Sequence, residues 1–264
     1  MRLTHVGGPT LLIEVGGWRL LTDPTFDPPG RRYAFGWGTS SVKTAGPAVP
    51  AAEIGRVDAV LLTHDHHGDN LDDAGRALLA SAGTVVTTRS GARRLAGSGA
   101  VDPGRVVGLA AGSTTVLDAP GRAAIEVTAT PCRHGPPLSR AIVGDVVGFA
   151  LGGGAALWIT GDTVLHRELL DVAGRLRVDV AVPHLGGVRF PVTGPVRYSM
   201  TARDAVRLCE VLRPRAVVPV HYEGWSHFAQ GRRAAEEQFA RAPRELRDAL
   251  RWLDPGVPTD PEVS

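Results

Sequence analysis

Three stretches of this chain are apolar, strand-sized and end on a histidine. Residues 57–63 run into His64, residues 178–183 into His184 and residues 216–220 into His221. Short aliphatic, β-branched runs with a polar stop read as buried strands. One such strand could be chance, but three place imidazoles along a common sheet edge. The carboxyl ends of strands are where α/β folds build their sites. The repetition also suggests one domain of two related halves, 1–140 and 141–254, with a polar, proline-bearing tail, 255–264, expected to fray.

Further strand-sized runs cover residues 2–6, 10–15, 18–22, 84–87, 106–109, 124–130, 146–151 and 155–160. Gly16-Gly17 and Gly152-Gly153-Gly154 are hairpin signals. Helical patterns fall at 71–82, 90–96, 167–173, 201–212, 232–240 and 244–252, the fourth opening on Thr201 as N-cap and repeating Ala205, Leu208, Val211 and Leu212 on one face. Residues 24–50 hold Tyr33, Phe35 and Trp37 among glycines and serines. They read as a long loop, either a disordered insertion or a wall for a substrate.

Composition narrows the function classes. The net charge is +2 and the arginines are scattered over helix faces, which argues against a nucleic-acid partner. The two cysteines, Cys132 and Cys209, make no disulfide framework. No apolar run approaches the roughly 20 residues of a membrane span. The opening residues lack the charged and apolar regions of a signal peptide, so a cytoplasmic protein is expected. A homo-oligomer is left open.

The densest chemistry is Thr63-His64-Asp65-His66-His67-Gly68-Asp69-Asn70, directly after a strand. Three imidazoles and two carboxylates packed this closely would each need a partner of its own in a structural role. A metal ion satisfies them together, and imidazole with carboxylate suits Zn2+ first, with Mn2+ or Fe2+ as alternatives. One or two ions are expected.

These residues resemble the first motif, His-x-His-x-Asp-His, of the metallo-β-lactamase superfamily. The likeness extends along the chain. His5 to Glu14 with Leu21-Thr22-Asp23-Pro24 is similar to the N-terminal hairpin of the branch that contains the ascorbate-phosphate lactonases and N-acyl-phosphatidylethanolamine phospholipase D. His134 matches the next histidine ligand, Gly161-Asp162 the motif whose aspartate bridges two metals, and His221 the last histidine ligand. The resemblance implies an α/β fold, an αββα four-layer sandwich with the metal site along one edge. It also implies a first ion on His64, His66 and His134, and a second on Asp69 and His221, with Asp162 between them.

The motif departs from the family pattern: its aspartate comes one residue late, and Asn70 stands where histidine is expected. Either His64 and His66 keep their places and a bulge brings in Asp69, or the register moves by one and Asp65 and His67 take the first two places. His67 or His184 could replace the missing histidine.

The implied activity is hydrolysis of a small ester, lactone or phosphodiester by a metal-activated hydroxide, with Asp69 as the catalytic carboxylate. His184, Tyr222, Trp225 and His227 are candidates for substrate binding. The alternatives are a metal-binding scaffold with an impaired second site, or a metal-dependent redox protein.

Overall fold

The N-terminal segment folds as three antiparallel strands, β1 (Arg2–Gly7), β2 (Thr10–Val15) and β3 (Trp18–Thr22). Gly16 and Gly17 turn the chain between β2 and β3 at φ of 56° and 83°. Both angles lie where a side chain is disfavoured, as a two-residue hairpin turn matched to strand twist requires. The computed structural model describes residues 1–137 and 139–261.

After a separate hairpin, β4 (Arg32–Gly36) and β5 (Thr39–Val42), the chain alternates strands with helices. These are α1 (Ala51–Ile54), β6 (Ala59–Leu61), α2 (Asp73–Leu78), β7 (Thr84–Thr88), α3 (Arg89–Ser98) and β8 (Val106–Leu109). The first sheet has the order β1-β2-β3-β6-β7-β8, parallel from β3 onward. The second half supplies β9 (Thr114–Leu117), β10 (Ile125–Pro131), α4 (Arg140–Val143), β11 (Val147–Gly152), β12 (Leu157–Ile159), α5 (Arg167–Ala173), β13 (Val180–Val182), α6 (Ala202–Leu212), β14 (Ala216–Val217), α7 (Arg232–Phe239) and α8 (Arg244–Ala249). Its sheet runs β14-β13-β12-β11-β10-β9, parallel at β12-β13-β14. The chain changes sheets between Leu109 and Thr114, ahead of the expected junction at residue 140.

The sheets face each other. Leu11, Ile13, Leu20 and Leu61 of the first share one buried cluster with Val127, Phe149, Leu157 and Val182 of the second. Separate clusters join the first sheet's outer face to α1 and α3 (Ile54, Val60, Val85, Leu95), and the second's to α5 and α6 (Trp158, Ala181, Leu169, Leu208). The layers are therefore helix, sheet, sheet, helix, an α/β sandwich as expected. Strands such as β6 and β13 are buried along their whole length, which is why they read as unbroken apolar runs.

Thr201 caps α6 through a reciprocal capping box with Asp204, as its sequence predicts. Three expectations need correction. The helix expected over 71–82 begins only at Asp73, because the Asp72 carboxylate caps the Gly75 amide, and it tightens to a 3-10 turn over Leu79–Ser81. Val211, expected on the buried face of α6, is 45% exposed. The tail does not fray over its described part: Thr259 exchanges two backbone hydrogen bonds of 2.8 Å with Leu3, and the Gly256 amide donates to the His5 carbonyl. Residues 262–264 lie outside the described residues. Among the described residues, no helix is long and apolar enough to cross a membrane.

Candidate metal centre

The parallel strands of both sheets end on one edge, and the chemistry gathers there. His64 follows β6, Asp162 follows β12, His184 follows β13 and His221 follows β14, while His134 follows β10 of the same sheet. All five side chains are buried. Three overlapping groups have potential ligand atoms within 4.8 Å of one another: His64, His66 and His67; His64, His134 and Asp162; and Asp162, His184 and His221. His64 and Asp162 each belong to two groups, so the whole forms one continuous cluster.

Backbone carbonyls decide which imidazole nitrogens carry hydrogen, because a carbonyl only accepts. His134 therefore donates from Nδ1 to the Tyr198 oxygen at 2.6 Å. His221 donates from Nδ1 to the Leu185 oxygen at 3.3 Å. His66 likewise donates from Nε2 to the Val143 oxygen. The remaining nitrogen of each ring is left as a lone-pair donor for a cation, the arrangement typical of histidine ligands. His221 Nε2 faces carboxylate oxygens of Asp69 and Asp162, each at 3.5 Å.

The orphaned atoms point the same way. His66 Nδ1, Asp69 Oδ1, Asp162 Oδ2, His184 Nε2 and His221 Nε2 are buried without a hydrogen-bond partner. Such groups are expensive unless something satisfies them. A divalent cation fits this donor set of nitrogens and carboxylate oxygens. Burial, reinforced by the neighbouring imidazoles, depresses the pKa of His64 well below the ordinary value and that of His67 to about 3. Both imidazoles are thus neutral at neutral pH, the form a cation would require. Burial raises the Asp69 carboxyl, but His221, 3.5 Å away, and the hydrogen bond from His227 more than reverse this, so it stays ionised. His221 is opposed by burial yet held up at about 9 by Asp162 and Asp69. A cation at the same place would displace that proton.

Backbone strain sits at one member of the cluster and at one residue behind it. His221 sits at φ 59° and Asp23 at φ 33°. For a residue with a side chain, this left-handed region costs about 1–3 kcal/mol. Gly161, at φ 65° just before Asp162, has no room for a Cβ, which would lie 2.6 Å from the Val147 oxygen.

The residues singled out in the sequence are not all brought together. Asp65 turns away from the cluster: both its oxygens bind the Arg94 guanidinium, at 2.9 and 2.5 Å. Its neighbour His67 turns inward, with Nδ1 3.1 Å from His64 Nε2. Asn70 donates to Asp23 Oδ2 (3.2 Å), so its amide braces the cluster from behind. His227 takes the outer flank, with Nε2 3.0 Å from Asp69 Oδ2 and Nδ1 2.6 Å from Ser41 Oγ. Tyr222 is buried between the rings of His5 and Trp252, and Trp225 packs on Tyr33 under the hairpin. Neither lines the cavity beside the cluster.

That cavity, of about 230 Å3, has His67, Asp69, His134 and His227 on its floor and Phe35, Trp37, Phe190 and Tyr198 in its walls. The segment 24–50 is therefore not a long loop: its β4–β5 hairpin forms one wall, with Trp37 at the tip. Phe190 and Tyr198 were not singled out in the sequence, where nothing distinguishes them from packing residues.

The family model described as the beta-lactamase superfamily domain matches residues 18–222. A UPF0173 metal-dependent hydrolase of Caldivirga maquilingensis is 30% identical over 257 residues, covering 97% of this chain and 92% of the relative. One from Carboxydothermus hydrogenoformans is 27% identical, covering 97% and 98%. Among solved structures, an isothiocyanate hydrolase from Delia radicum gut bacteria superposes with a TM-score of 0.80 at 20% identity, covering 98% of this chain and 99% of that one. Matched along most of its length by that family model and along nearly all of it by these relatives, the chain belongs to the β-lactamase superfamily and is one of its metal-dependent hydrolases.

Proposed function

We propose that this protein hydrolyses a small ester, lactone or phosphodiester at a two-ion centre, with zinc as the native metal. In this reading His64, His134 and Asp162, with His66 or His67, hold one cation. Asp69, Asp162 and His221, with His184 beside them, hold the other. The observation that carries the reading is the set of four buried atoms, His66 Nδ1, Asp162 Oδ2, His184 Nε2 and His221 Nε2, that lack a protein partner and belong to residues of one cluster. A divalent cation bound there supplies Lewis acidity, lowering the pKa of water to about 7 and polarising an acyl or phosphoryl oxygen.

The chain's own groups handle the proton. Asp69 is ionised and has Oδ1 free, so it accepts the proton of the attacking water at that atom. Its other oxygen is held by His227, which Ser41 orients in turn. The proton then passes from Asp69 Oδ1 to the departing alkoxide, so an ester and water become an acid and an alcohol. Cys132 takes no part: it is half-buried, its thiol donates to the Thr160 oxygen at 3.0 Å, and desolvation raises its pKa.

Purified protein should bind about two zinc ions, and chelation should abolish hydrolysis of a panel of esters, lactones and phosphodiesters, with zinc restoring it. Asp162→Asn and Asp69→Asn should each lower kcat by about 100-fold or more. Turnover that survives full metal removal would overturn the reading.

A further inference from the structure

We propose that the substrate is an uncharged aryl ester or aryl-bearing lactone, whose ring lies in the cavity between the β4–β5 hairpin and the segment 188–198. The proposal rests on the hydrolase reading above and narrows it.

The cavity measures about 230 Å3. A cavity of roughly 150 Å3 accommodates benzene. The remaining space suits a reactive group of a few atoms, and the cavity floor at His67, Asp69 and His134 places that group against the ligand cluster.

Phe35 meets Phe190 edge to face at 5.9 Å, and Phe190 meets Tyr198 edge to face at 5.6 Å. Val143 and Val188 complete the apolar surface. Aromatic rings prefer this offset or edge-on packing, and a ligand ring extends the array. Trp37, 76% exposed at the hairpin tip, brings a further ring to the mouth.

Among the described residues that line the cavity there is no lysine or arginine, and Asp69 is the acidic one. An anionic substituent on the ring, held by the walls and away from the ligand cluster at the floor, would lose its water without gaining a cation. Arg189 lines a neighbouring open cleft, on the far side of the Phe190 and His227 rings, which stack at 5.3 Å and 5°. A phosphodiester, whose anionic group extends beyond the reacting atoms, is a poorer match than a neutral acyl compound.

The test has a binding arm and a turnover arm. Acetanilide, a neutral aryl amide, and 4-acetamidobenzoate, its carboxylated counterpart, are titrated into the metal-free protein by NMR. Acetanilide should bind at least about tenfold tighter, and Phe35→Ala should remove most of that preference, Phe35→Leu part of it. With zinc-loaded protein, phenyl acetate should exceed 4-acetoxybenzoate, ethyl acetate and bis(4-nitrophenyl) phosphate in kcat/KM by about tenfold or more. Equal or tighter binding of the carboxylated amide, or a preference for the phosphodiester, overturns the inference. If nothing on the panel is turned over, the hydrolase reading fails, and the binding arm alone still decides whether the cavity selects a neutral ring.

Discussion

The Asp23 carboxylate takes both donors of Thr63, the amide on Oδ1 at 2.7 Å and the hydroxyl on Oδ2 at 2.9 Å. Thr63 Oγ1 lies 3.0 Å from His64 Nδ1 and accepts its hydrogen, which leaves His64 Nε2 facing the ligand cluster. Thr63→Val keeps the shape but breaks this relay. Outer partners of this kind typically set metal affinity by about 10–100-fold. Zinc affinity of the variant, measured by competition with a chromogenic chelator, should fall within that range.

The hairpin is anchored by a buried ion pair. Lys43, at the end of β5, reaches Asp72 Oδ2 at 2.7 Å, and both side chains are at most 3% exposed. Lys43→Met fills the space but strands a carboxylate. Asp72 retains the amides of Phe26, Asp27 and Gly75. The cost should therefore be at the low end for a broken buried pair, about 3 kcal/mol in urea unfolding. Amide exchange across β4 and β5 should accelerate, since the pair ties that hairpin to α2.

Trp37 holds φ at 53° while largely exposed. That backbone region is unfavourable for a bulky side chain. Trp37→Asn should raise stability by about 0.5–1 kcal/mol, because asparagine tolerates this region. KM for an aryl ester should rise in the same variant. A stabilised protein with unchanged KM would mean that the ring has no part in binding.

His5 donates from Nε2 to the Gly8 carbonyl at 3.0 Å, and the same carbonyl accepts the His221 amide at 2.8 Å. Burial lowers the pKa of His5, against a smaller opposing effect of the Gly8 hydrogen bond. A histidine depressed in the folded state binds fewer protons than in the unfolded chain. Its contribution to stability is therefore present above the unfolded value of about 6.5 and lost as pH falls below it. His5→Gln keeps a donor toward Gly8 but cannot titrate. Its urea midpoint should fall less between pH 7.5 and 5 than that of the parent protein.

Much of the site was legible because each ligand candidate sits where an apolar run stops. The runs before His64, His184 and His221 are strands buried on both faces, and such strands announce themselves without periodicity. Side-chain direction was not legible. Asp65 and His67 offered equivalent chemistry in sequence, and only Arg94, brought up by α3, draws one of them away. Nor could Asn70 be read, since its partner Asp23 lies 47 positions earlier. The hairpin escaped detection because β4 and β5 make a two-stranded ribbon, glycine-rich at the tip, with a weak apolar signal. Its position depends on Lys43 and Asp72, 29 positions apart.

The backbone exchange between Leu3 and Thr259 has a bearing on how the protein behaves in company. A strand at the rim of a sheet presents unpaired amides that invite a second chain to add on. Here the polypeptide's own last turn of extended backbone occupies part of that rim at β1, beside the amino terminus. The molecule thus covers part of that border with residues 256–259, and removing them would leave β1 open to the addition of a second strand.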